Sequence, residues 1–95
     1  MISTKRIVLS LIFTFFAANS SAQLNVIISG GLAAAYQDLL PEFVSANEIA
    51  VETGRGGSVG DSPRAIPNQL ARGVEADVVI LARQGLEEIR KQGRI

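Results

Sequence analysis

The sequence predicts an α/β fold, a parallel sheet with flanking helices, and two observations carry that expectation. Beyond residue 22, short apolar runs alternate with segments of helical period in the order strand, helix, strand, helix, strand, helix. Such alternation joins parallel strands by right-handed crossovers. The run Asp77-Val78-Val79-Ile80-Leu81-Ala82 is the most uniformly apolar after residue 22, the pattern of a strand buried on both faces of a parallel sheet. In such sheets ligands bind beyond the carboxyl ends of the strands.

Residues Met1 to Ala22 read as an address. Lys5 and Arg6 precede an apolar run from Ile7 to Ala18, broken only by Ser10 and Thr14. That run is short for a membrane helix, which needs about 20 apolar residues. Ser20 and Ala22 place small side chains where a cleavage before Gln23 requires them, as in a secretory signal peptide. No cysteine follows for lipid attachment, so a periplasmic product of residues 23–95 is expected.

Within that product, Leu24 to Ser29 is rich in β-branched residues and is stopped by Gly30-Gly31, which predicts the first strand. Leu32, Ala35, Tyr36, Leu39, Leu40 and Phe43 then recur at threes and fours, which places them on one helical face. Pro41 should kink that helix or start a second one, and Asn47 should end it. Ile49 to Thr53 predicts a second strand, with Glu52 favouring an edge position. After the glycine-rich run Gly54 to Gly60, Asp61 or Ser62 ahead of Pro63 suits a helix N-cap. The next helix should run from near Pro67 to Arg72 and end at Gly73. The apolar strand at Asp77–Ala82 and a last helix from Gln84 to Gln92, capped by Gly93, complete the pattern.

Composition excludes much chemistry. The 95 residues contain no cysteine and no histidine, so there is no disulfide, no thiolate or imidazole metal site and no histidine-activated nucleophile. Residues 23–95 carry seven basic and nine acidic groups, a balance that offers nucleic acid no attraction. Lys91 lies in a charged helical stretch with Glu87, Glu88, Arg90 and Arg94, which reads as a solvated face. Asp77 begins a strand on the edge opposite the ligand and is expected to satisfy nearby backbone donors. At this size a domain is marginal, since about 60 residues bury only about 60% of the surface their unfolded chain exposes. Residues 23–95 are therefore expected to form part of a larger unit.

Two segments can carry a ligand. Ser29-Gly30-Gly31 leads straight into a helix whose first amides lack internal partners, and small residues let an anion approach them. Glycine and serine also serve any strand-to-helix turn. In Gly54 to Ser62 the glycines free the backbone to form an anion-binding concavity, with Arg55, Ser58 and Ser62 as polar side chains. That loop matches neither the dinucleotide fingerprint, which would need glycine at Val59, nor the P-loop, which needs a Gly-Lys pair.

The arrangement of Ser29-Gly30-Gly31-Leu32, Gly57-Ser58, Asn68-Gln69-Leu70-Ala71-Arg72-Gly73 and Ala76-Asp77-Val78-Val79-Ile80 resembles the N-terminal part of the molybdate-binding proteins of ABC importers. More broadly it resembles the type II periplasmic solute-binding fold. The resemblance implies a partial first lobe of a two-lobed binding protein, monomeric when complete, that delivers a small anionic solute to the membrane subunits of an ABC importer. It implies ligand contacts from Ser29, Gly30, Gly31, Gly57 and Ser58 through hydroxyls and backbone amides, with no catalytic residue, no metal and no organic cofactor. Gly31 stands where the family has serine, and the stretch Asp61 to Pro67 is longer than the family loop; both departures point away from molybdate itself. The expectation is thus a binder of a small oxyanion such as molybdate or a related anion, and no enzyme. The alternatives are an exported hydrolase or transferase using Ser29 or Ser58, with its base supplied by a C-terminal part, or a truncated product without function.

Overall fold

The computed structural model describes residues 22–95, so the signal-peptide expectation lies, but for Ala22, outside the described residues. Three strands, β1 (Gln23–Ile28), β2 (Ala50–Arg55) and β3 (Val78–Ile80), form a parallel sheet in the order β2-β1-β3. Helices α1 (Ala33–Asn47), α2 (Ile66–Ala71) and α3 (Arg83–Lys91) connect and flank them, with a 3-10 turn at Gly30–Leu32 leading into α1. The small α/β architecture is the one expected, a partial α/β domain with an open three-stranded sheet.

Strand β1 takes the centre because Val26, Ile27 and Ile28 form a continuous apolar run that both faces can bury. Its register with β2 is Gln23↔Ala50 through Ile28↔Arg55, and with β3 Val26↔Val78 through Ile28↔Ile80. Two expectations change here. The apolar segment at 77–82 forms a strand of only three residues on a sheet edge, and Val78 is 41% exposed. Uniform apolarity marks a strand able to be covered on both faces, but only neighbouring elements decide whether it is. Strand β2 takes the predicted edge position and runs on through Gly54 to Arg55, because those residues pair with Ile27 and Ile28.

One sheet face is closed by α2 and α3. Ile27 packs there with Ile66, Leu70 and Ile89, and Ala76, Val79 and Leu81 fill its margin. On the other face α1 is tied to β2 by the hydrogen bond between the Tyr36 and Thr53 hydroxyls, 2.7 Å. The apolar stripe read from its period exists but is not buried: Leu39 is 64% and Phe43 42% exposed. These side chains line an open groove with Val26, Val51, Val78 and Ile80.

Helix α1 runs unbroken through Pro41, where a kink or a new helix was expected. Proline removes one amide and crowds the preceding turn, but Pro41 and Gln37, whose carbonyl loses its donor, are both exposed, so solvent can take that carbonyl. Replacing Pro41 with alanine should therefore restore one helical bond and stabilise the chain by about 2 kcal/mol. An unchanged or lower midpoint of thermal unfolding would show that the helix has already absorbed the proline. The helix ends as expected at Asn47, whose Nδ2 donates to the Phe43 carbonyl at 2.9 Å.

The expected cap at Asp61 or Ser62 is also corrected. Ser62 closes a turn instead, with its Oγ accepting from the Arg64 amide at 3.1 Å and its carbonyl from the Ala65 amide at 3.0 Å. That turn absorbs Pro63 and Arg64, so α2 starts later, with Ala65 preceding it and Pro67 in its first turn, where a missing amide costs nothing. Gly73 and Gly93 follow α2 and α3 with positive φ of 98° and 74°, the left-handed conformation in which glycine ends helices. Asp77 plays its expected part at the amino edge, accepting from the Asn25 amide at 2.8 Å while its own amide donates to the Asn25 carbonyl at 2.8 Å.

Candidate functional site

Three connections meet at the carboxyl ends of the parallel strands. The first runs from Ser29 into α1, the second from Gly56 to Ala65, and the third is Leu81-Ala82 before α3. Ser29 follows the central strand, and its amide donates to the Ile80 carbonyl at 2.9 Å, which ties the first connection to the end of β3. Gly30 and Gly31 open the 3-10 turn; both are exposed, and nothing lies within 4 Å of where a Cβ would stand on either. The turn offers backbone donors at a helix start with no side chain in front of them.

Ser58 is half-buried, and its Oγ accepts a hydrogen bond from the Ala82 amide at 2.9 Å. A hydroxyl that accepts from the backbone keeps its own proton for another acceptor. The second and third connections are thereby locked together around a hydroxyl free to donate to an anion. Gly57 contributes differently, through its carbonyl, which accepts from the Ile66 amide at 2.7 Å and fixes the loop onto α2. Ser29, Gly30 and Gly31 thus stand where the β1 connection enters α1, and Ser58 stands against the entrance of α3. Both groups lie at the carboxyl end of the sheet. Gly57 helps to build the loop and has no side chain to offer.

Two glycines make this convergence sterically permissible. A Cβ on Gly56 would overlap the Arg64 carbonyl, and a Cβ on Gly85 would overlap the Ser58 carbonyl. Gly56 therefore lets the second connection fold back immediately after β2, where Gln69 Nε2 bridges the Arg55 and Arg64 carbonyls at 2.9 and 2.7 Å. Gly85, in the first turn of α3, lets the helix start lie against the loop bearing Ser58. Sequence reasoning missed Gly85, which reads as an ordinary residue of a charged helix.

Arg55, Arg64 and Arg83 stand on or beside these connections, with Asp61 and Glu88 in a groove along the second of them, whereas Glu75 and Asp77 share the amino edge with Arg94. The ion pairs among the described residues, Arg90–Glu87 and Lys91–Glu88, lie on the exposed face of α3 and leave those three arginines unpaired. Three exposed arginines without an ion pair among the described residues thus stand near the carboxyl ends of the strands. The same described residues contain no group of three or more acids that could hold a metal ion.

Fold and site together define a partial α/β unit whose three connections converge at the carboxyl ends of its parallel strands. No protein-family model matches the chain. Over 79 residues, 83% of its length, the chain is 33% identical to a protein of Pseudomonas sp named aconitate isomerase, and it spans 30% of that protein's length. This likeness corrects the expectation that the chain is no enzyme, since the relative is named as one. The expectation rested on the resemblance to solute-binding proteins, with the absence of histidine arguing only against a serine nucleophile.

Proposed function

We propose that this chain forms the N-terminal, carboxylate-holding portion of an exported isomerase acting on a small polycarboxylate of the aconitate type. The observation that carries the reading is the 33% identity to the Pseudomonas aconitate isomerase over most of the chain. The site's chemistry supports it. A carboxylate takes the same donors as an oxyanion, namely the Ser58 hydroxyl and the amides at Gly30 and Gly31. Isomerising an unsaturated acid develops negative charge on a carboxylate, and donors held in place before the reaction stabilise that charge. The open space at Gly30 and Gly31 suits a branched acid larger than a tetrahedral oxyanion.

The test is a titration of the ¹⁵N-labelled chain with aconitate, sulfate and molybdate. Aconitate should shift the amide signals of Gly30, Gly31 and Ser58. Ser58→Ala should weaken binding about tenfold, the value of one hydrogen bond to a charged group. A response to molybdate alone would instead favour the oxyanion-binding role implied by the resemblance, and would overturn the polycarboxylate reading.

A further inference from the structure

We propose that Arg55 is the specificity-determining residue of this edge, taking one carboxylate of a polycarboxylate while the Ser58 side holds another. The inference rests on the polycarboxylate reading above and places a guanidinium where β2 passes into the second connection. Arg55 is the last residue of β2 and pairs with Ile28, so it lies one strand spacing, about 4.8 Å, from the point where β1 turns into the glycine connection. Side chains alternate along a strand, which puts Arg55 on the same face as Thr53. Thr53 bonds Tyr36 of α1, so Arg55 projects on the α1 side, beside the helix entrance that Gly30 and Gly31 leave open.

Its backbone is held while its side chain is free. Gln69 fixes the Arg55 carbonyl, Gly56 continues the ladder through its amide to the Ile28 carbonyl, and the glycine requirement at Gly56 pins the chain directly behind. The side chain itself is exposed and carries no ion pair or hydrogen bond among the described residues. A guanidinium on a fixed stem presents two parallel donors that match a carboxylate, which a lysine or a hydroxyl does not reproduce. Ser58 faces the α3 entrance on the other side of the β1 end. The two donors thus flank the strand end, as an acid with two separated carboxylates requires and a single oxyanion does not.

Calorimetric titration of the chain with aconitate, acetate and sulfate tests this with Arg55→Gln, Arg55→Lys and Arg64→Gln. Arg55→Gln should lower aconitate affinity tenfold or more and leave acetate and sulfate within twofold. Arg55→Lys should recover only part of the loss, and Arg64→Gln, of equal charge on the same edge, should change aconitate affinity less than threefold. Amide spectra of each variant check that the fold is kept. Equal losses for all three anions, or equal effects of Arg55→Gln and Arg64→Gln, would overturn the assignment by reducing Arg55 to general attraction. Binding of sulfate without aconitate by the unsubstituted chain would overturn the polycarboxylate reading itself, a result distinct from a failure at Arg55.

Discussion

Replacing Gly85 with alanine is expected to destabilise the chain by about 1–2 kcal/mol and to loosen the candidate site at the same time. Two effects oppose each other. Gly85 is the third residue of α3, with a φ open to any residue, so helix propensity alone favours alanine by about 1 kcal/mol. Against this, the new Cβ would overlap the carbonyl of Ser58 and press on Leu81 Cδ1. Backbone yields less readily than a side chain, and overpacking a close contact costs about 1–3 kcal/mol or more. The only relief is to move the start of α3 away from the second connection, which stretches the bond from the Ala82 amide to Ser58 Oγ. Urea unfolding should show the lower stability, and faster amide exchange at Ala82 should report the broken contact. Gly30→Ala, with nothing within 4 Å of its added carbon, should be close to neutral in the same measurement. If Gly85→Ala matched Gly30→Ala, the packing of α3 against the Ser58 loop would be wrong.

That contrast between glycines shows what the sequence could disclose. Glycine in Ser29-Gly30-Gly31 stood out because it follows a strand and precedes a helix, and the structure finds it sterically dispensable. Gly85 lies inside a helical pattern, and its necessity comes from a carbonyl 27 positions earlier that no local reading brings near. Strands and helices were legible because apolar period is a local property, and the closing glycines at 73 and 93 because positive φ is one too. The sheet order was not, because apolarity at Val78–Ile80 states an ability to be covered and leaves the cover unnamed. Arg55 was legible only as a polar member of a glycine-rich loop; that it ends a strand follows from Gly54 pairing with Ile27. Composition excluded a cysteine or a histidine-activated nucleophile within these 95 residues. It did not reach proton-transfer chemistry, and there the comparison with a named isomerase changed the reading.

Truncating Ile66 to alanine is expected to cost about 2–5 kcal/mol, the usual range for emptying a buried aliphatic site. Ile66 is fully buried and joins Ile27 of β1 to Leu70 of α2 and Ile89 of α3, so it is the point where all the covered elements on that face meet. The remaining neighbours collapse poorly, because Ile66 sits at the first position of a helix between two prolines, Pro63 and Pro67, that restrict its backbone. The loss should also be felt at the ligand edge. The Ile66 amide donates to the Gly57 carbonyl at 2.7 Å, so the residue that fills the core is bonded to the loop next to Ser58. With Ile66→Val, which removes a single methylene, the cost should fall to about 0.5–1.5 kcal/mol and the Gly57 contact should persist. Chemical denaturation of both variants, read beside the Ser58 amide signal, separates the two roles. A large loss of stability with the Ser58 signal unmoved would show that the core and the loop are independent, and the rigid support argued for the site would then have to come from Gly85 and Ala82 alone.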